Sequence, residues 1–161
     1  ERRVVKSTFD RIEAATGTRP KGWLSSGLQQ SWYTLDYLIE NGASYVADWI
    51  NDDQPYLMDI GGKTICSIPY SGEINDLPAF RQGKSSDEFE LMMRRQFDTL
   101  YHESAESGRV MAICLHPFVI GVPHRIWALD SALEYICGHD DVWLATGSEI
   151  IDHYLKSGAT F

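Results

Sequence analysis

Cysteine is scarce in this chain. Its three residues, Cys66, Cys114 and Cys137, fall at spacings that suit neither a zinc site nor a redox Cys-x-x-Cys pair. Two of them lie inside apolar runs and read as small buried hydrophobes rather than as a disulfide. Positive charge is also short: 14 Lys and Arg stand against 23 Asp and Glu, a net charge of −9. That balance excludes a general nucleic-acid binder, which needs a basic face to displace counterions. No apolar run approaches the ~20 residues of a membrane-spanning helix, and no leader peptide is visible. The chain is therefore expected to be cytoplasmic and to make no membrane contact. It has no His-x-x-x-His or His-x-His pair, no Gly-rich phosphate loop and no Ser-His-Asp order. A complete metal site within it is not expected. Glu1 stands where a native start would have Met, which places the expected start upstream.

What is present suffices for a core. The 161 residues, 43% hydrophobic and 12% aromatic, fit one ordinary domain. Val5, Phe9, Ile12 and Ala15 predict a helix over 3–16 that Gly17 ends. Residues 19–27 read as a loop or a short strand with its loop. Ser31 is a candidate cap for a second helix, with Leu35, Leu38 and Ile39 as its stripe and Gly42 as its stop. A strand is predicted at 45–49, a polar loop at 51–56, a strand at 64–69 and a loop from Tyr70 to Phe80. Ser86 is expected to cap a long helix over about 87–106 striped by Phe89, Met92, Met93, Phe97, Leu100 and Tyr101. A strand at 109–115, apolar enough to be covered on both faces, is followed by a helix at 123–137, a strand at 142–146 and a helix at 148–156. Alternating helices and strands with long connections give an α/β fold with parallel strands. By pattern alone an open sheet is preferred to an arc of a barrel.

Polar groups collect after the strand ends, where parallel α/β folds gather their chemistry on one rim. Asp48, Asn51, Asp52 and Asp53 follow one strand; Ser71, Glu73, Asn75 and Asp76 follow the next. His116 closes the apolar run Ile113-Cys114-Leu115, and His124 and Arg125 open the helix after it. Each group has a plainer explanation. Asn51–Pro55 can be a solvated turn, Glu73–Asp76 a helix start, and His124-Arg125 a helix first turn, although a cation there opposes the helix dipole. His116-Pro117 at a strand exit is harder to explain as packing. His102, His139 and His153 read as surface residues, and Trp32, Trp127 and Trp143 as core.

At these residues the chain resembles a known family. Arg19-Pro20-Lys21-Gly22-Trp23, Asn51-Asp52-Asp53-Gln54-Pro55-Tyr56, Pro69-Tyr70-Ser71-Gly72-Glu73-Ile74-Asn75-Asp76, Leu115-His116-Pro117 with Gly121-Val122-Pro123-His124-Arg125, and Val142-Trp143-Leu144-Ala145-Thr146-Gly147 occur in order. Together they are similar to the polysaccharide deacetylase family, in the branch with cofactor-independent allantoinases and peptidoglycan deacetylase-like proteins. The resemblance implies a distorted (β/α) barrel, in place of the open sheet, and hydrolysis of a non-peptide C–N amide bond. It covers only the family's C-terminal half, so residues 1–161 are expected to be a single partial domain. The family's early Asp-Asp strand motif and its His-x-x-x-His motif, where a divalent metal such as zinc binds when one is used, are not in this sequence. The resemblance implies a catalytic role for His116 as general acid or its support. The substrate-binding positions expected beside it are Arg19, Trp23, Asp52, Asp53, Glu73, Asn75, His124 and Arg125. The expected substrate is a small amide or an N-acetylated sugar. The expected partner is the N-terminal half of the barrel or a second copy of the chain. The rival expectation is a non-catalytic binding module derived from a half-barrel.

Overall fold

A computed structural model describes residues 1–158. The elements run α1 (Arg2–Thr16), β1 (Gly22–Trp23), α2 (Thr34–Glu40), β2 (Tyr45–Val46), β3 (Tyr56–Ile60), β4 (Lys63–Ser67), α3 (Asp76–Arg81), α4 (Ser86–Glu103), α5 (Pro117–Ile120), α6 (Ile126–Cys137) and α7 (Gly147–Lys156). They gather into two units: Glu1–Ile68 with the segment from Ala145 onward, and Pro69–Leu144. This is an α/β protein with a mostly parallel sheet that does not close on itself. No helix among the described residues is long and apolar enough to cross a membrane.

The first unit holds the sheet, in the order β1-β2-β4-β3, with β1, β2 and β4 parallel and β3 antiparallel to β4. Successive strand side chains point to opposite faces. Ile65 of β4 accordingly joins Val5 and Phe9 of α1, Leu38 of α2 and Val46, while Cys66 joins Ile68 and Ile151 of α7 on the other side. Helix α1 ends where Gly17 takes a left-handed conformation (φ 74°) and donates its N–H to the Glu13 carbonyl at 2.8 Å. The expected polar loop at 51–56 gives way at Tyr56 to β3, a strand absent from the sequence reading. Gly61 and Gly62, both at positive φ (60° and 84°), turn β3 back into β4, and Ile60 pairs with Lys63. This is the two-residue turn whose twist suits a hairpin.

The second unit packs Phe89 and Met93 of α4 against Ile74, Ala79, Ile120 and Ala132. Two expectations about its strands need correction. Residues 109–115 form no strand and pair only at Cys114, alongside Asn75. Residues 142–146 form no ladder at all. An apolar run reports burial, whereas a strand needs a neighbouring backbone in register. Burial is partial too, since Leu115, Trp143 and Leu144 are exposed. The three tryptophans read as core are also exposed, Trp32 at 97%. Trp127 lies off the stripe of Ala128, Ala132 and Ile136 by which α6 is buried, and Trp32 precedes the first turn of α2.

The caps also differ from expectation. Ser85, not Ser86, caps α4: its hydroxyl accepts the Glu88 N–H at 3.2 Å while Glu88 accepts the Ser85 N–H at 2.8 Å. Ser31 does not cap α2, which starts at Thr34; its hydroxyl accepts the Tyr33 N–H in the preceding turn. Segment 70–80, expected as a loop, turns helical at Asp76, where α3 begins. His139 is half-buried rather than a plain surface residue, with ring centroids of Phe97, Tyr101 and Tyr135 at 4.8, 5.1 and 4.8 Å. Cys66 and Cys114 are buried free thiols, and burial pushes both above the ordinary thiol pKa.

Candidate active site

The site begins with two stretches of backbone in the second unit. The Cys114 N–H donates to the Ile74 carbonyl at 2.9 Å, and the Asp76 N–H donates to the Cys114 carbonyl at 3.1 Å. This short parallel pairing sets residues 114–116 beside 74–76. Helix α3 starts there because the Asn75 side chain accepts the Leu77 N–H at 3.2 Å. The same cap places Asp76 in the first turn of α3, aimed at His116. Helix α5 starts directly after His116, whose backbone is extended, with Pro117 in its first turn.

Asp76 is fully buried, a placement that a carboxylate adopts only with partners. It has two, both from His116. One oxygen accepts the His116 backbone N–H at 2.8 Å, and the other meets the imidazole Nδ1 at 2.6 Å. Holding backbone and ring together fixes the orientation of the imidazole. With Nδ1 donating to Asp76, the ring's other nitrogen, Nε2, is left for proton transfer. The His116 side chain stays 32% exposed, so a ligand can reach it.

The same segments carry a second set of hydrogen bonds around the buried Cys114 thiol. The Cys114 thiol donates to the Ser71 carbonyl at 3.1 Å, and the Ser71 hydroxyl accepts the Ile74 N–H at 2.8 Å. The Tyr70 hydroxyl hydrogen-bonds the Cys114 thiol; burial, reinforced by that bond, pushes the Tyr70 pKa up to about 12. These groups hold the segment that delivers Asp76.

The other sequence candidates are placed as follows. In the second unit, Asn75 caps α3 and Glu73 and His124 stand exposed. The Arg125 guanidinium donates to the Val119 carbonyl at 3.1 Å and lies 4.2 Å from the Phe80 ring centroid, tying α5 to the start of α6. In the first unit, Arg19 is held by Glu13 at 2.7 Å, Asp10 at 3.3 Å and the Asn41 carbonyl at 3.0 Å. Trp23 stacks on Phe9 and donates to the Ser25 hydroxyl at 3.0 Å. Asp48 is buried, accepting both the backbone N–H and the hydroxyl of Ser25 at 2.6 Å, which fixes the loop after β1. Asp52 and Asp53 are exposed on a turn closed by the Gln54 N–H donating to Asp52 at 2.9 Å.

Asp76 is the partner of His116 that the sequence reading left out of its candidate site. Its signal was present, since it ends the Pro69–Asp76 motif, but its pairing with a residue 40 positions away is set by tertiary structure. Among the described residues no group of three or more His, Cys, Asp or Glu side chains is placed to hold a metal ion. These residues therefore do not by themselves make a zinc site.

No protein-family model matches the chain. Individual proteins do. It is 34% identical over 173 residues to a Schizosaccharomyces pombe protein described as a polysaccharide deacetylase, a match covering 90% of this chain and 53% of that one. It is 24% identical over 189 residues to the peptidoglycan deacetylase of Helicobacter pylori, covering 97% of this chain and 64% of the relative. Among solved structures it superimposes on PuuE allantoinase with a TM-score of 0.91 at 30% identity, over 100% of this chain and 54% of the allantoinase. The chain thus spans about half the length of the first and third of these proteins and less than two thirds of the second. By sequence and by fold it is a homologue of the polysaccharide deacetylases, in the branch that holds peptidoglycan deacetylase and allantoinase.

Proposed function

We propose that this chain, as one partial domain, supplies the acid side of an amidohydrolase of the polysaccharide deacetylase kind. The observation that carries this is the grip of buried Asp76 on Nδ1 and the backbone N–H of part-exposed His116. In the reaction proposed, water adds to the carbonyl carbon of a non-peptide amide. As the resulting tetrahedral species collapses, protonated His116 gives its Nε2 proton to the departing nitrogen. The C–N bond breaks, leaving a carboxylate and an amine. The Asp76 carboxylate holds the ring in place and balances the charge of its imidazolium form.

The base that activates the water is proposed to lie in the part of the barrel that this chain does not match, along with any divalent metal. The substrate is proposed to be an N-acetylated sugar, in keeping with the names of the deacetylase relatives. The proposed partner is the N-terminal half of the barrel, with a second copy of this chain as the alternative cover.

The test is complementation. Alone, with or without zinc, the 161-residue chain should release no acetate from N-acetylchitotetraose and should not open allantoin. Joined to the N-terminal part of the Schizosaccharomyces pombe relative it should do one or the other. His116→Ala should then lower turnover by about 10²–10⁴-fold. Undiminished hydrolysis by the joined His116→Ala protein would overturn the assignment.

A further inference from the structure

We infer that Phe118 is a substrate-contact residue of the His116 site, and that it selects an N-acylated sugar by packing against the sugar's C–H face. This deepens the amidohydrolase reading and rests on it. The His116 carbonyl accepts the Val119 and Ile120 N–H groups at 2.8 and 3.1 Å, which fixes the turn of α5. Val119 and Ile120 are buried beneath that turn, so Phe118 is held on the outer side, 73% exposed. Its ring is nonetheless not free of the site. It meets the imidazole of His116 edge to face, with centroids 5.6 Å apart and planes at 70°.

Asp76 occupies the Nδ1 side of that imidazole. The ligand-accessible part of the ring is therefore the Nε2 side, and Phe118 flanks the same imidazole with an exposed apolar surface. An exposed aromatic ring packed against a polar, proton-carrying side chain matches the usual make-up of small-molecule sites, apolar lining with a few polar groups. A pyranose presents a face of C–H groups that packs on an aromatic ring, while its acylamino nitrogen projects from the rim toward the acid. A ligand in that pose also excludes water from Nε2.

The test follows the His116 ring by NMR in the full chain carrying labelled histidine, during titration with N-acetylchitotetraose and, separately, with allantoin. The tetrasaccharide should shift the His116 signals in the native chain. Phe118→Ala should weaken its binding by about 10-fold, and Phe118→Tyr, which keeps the ring, should restore it. Phe118→Leu should fall between them. All three variants should keep the native thermal midpoint, because the residue is exposed. Equal affinity across the series overturns the Phe118 assignment and leaves the amidohydrolase reading standing. A response to allantoin with none to the tetrasaccharide overturns the sugar selectivity. The acid role of His116 is decided separately, by the complementation assay.

Discussion

Tyr70 shows how far partial burial can shift the chemistry of one side chain. Its hydroxyl is partly withdrawn from water and bonded to the Cys114 thiol, which together push its pKa up to about 12, against an ordinary value near 10. Between those values the unfolded chain releases a proton that the folded chain keeps. Stability therefore falls as pH rises through that window, and the contribution is intact below it. Burial of the Cys114 thiol works in the same direction, starting at lower pH. Tyr70→Phe removes the phenol and should flatten the loss of urea stability between about pH 10 and 12. Parallel losses in the native and Tyr70→Phe chains would show that Tyr70 ionises as an exposed phenol does.

Elements differ in how much of themselves they carry locally. Helices α1, α4, α6 and α7 were legible because an apolar stripe at 3.6-residue spacing is written into each segment. The cap of α4 was legible in principle. Of two adjacent serines, only Ser85 stands three residues before a glutamate, and reciprocal bonding with Glu88 selects it. Strand β3 was missed although its signal was local: Gly61-Gly62 joins two β-prone runs at the shortest hairpin spacing. The opposite error at 109–115 has a different origin. Hydrophobicity there is real, but pairing depends on which backbone lies alongside, and only residues 74–76 do so. The candidate site divides in the same way. His116 was visible as a titratable residue ending an apolar run. Its dependence on Asp76 was not, because nothing local says which acid a histidine will meet.

For the whole molecule, the exposed apolar residues are the informative feature. Trp32 is 97% exposed in one unit and Leu144 69% in the other, and Tyr33 and Trp143 are also largely exposed. Single exposed apolar residues are ordinary, but several large ones in a chain that spans about half of its relatives suit a protein with surface left to cover. Sedimentation equilibrium at low micromolar concentration should therefore show self-association of the 161-residue chain. A monomer with a cooperative thermal transition would show that the chain closes its own core. The proposed acid chemistry depends on Asp76 holding Nδ1 of His116, so that Nε2 is the nitrogen free to transfer a proton. Nitrogen-15 NMR of the labelled chain tests this directly, with the His116 signals assigned by their loss in His116→Gln. The neutral ring should carry its proton on Nδ1, with a strongly deshielded signal from the bond to Asp76 that weakens in Asp76→Asn. A neutral ring protonated on Nε2, with bare nitrogen facing Asp76, would contradict the account.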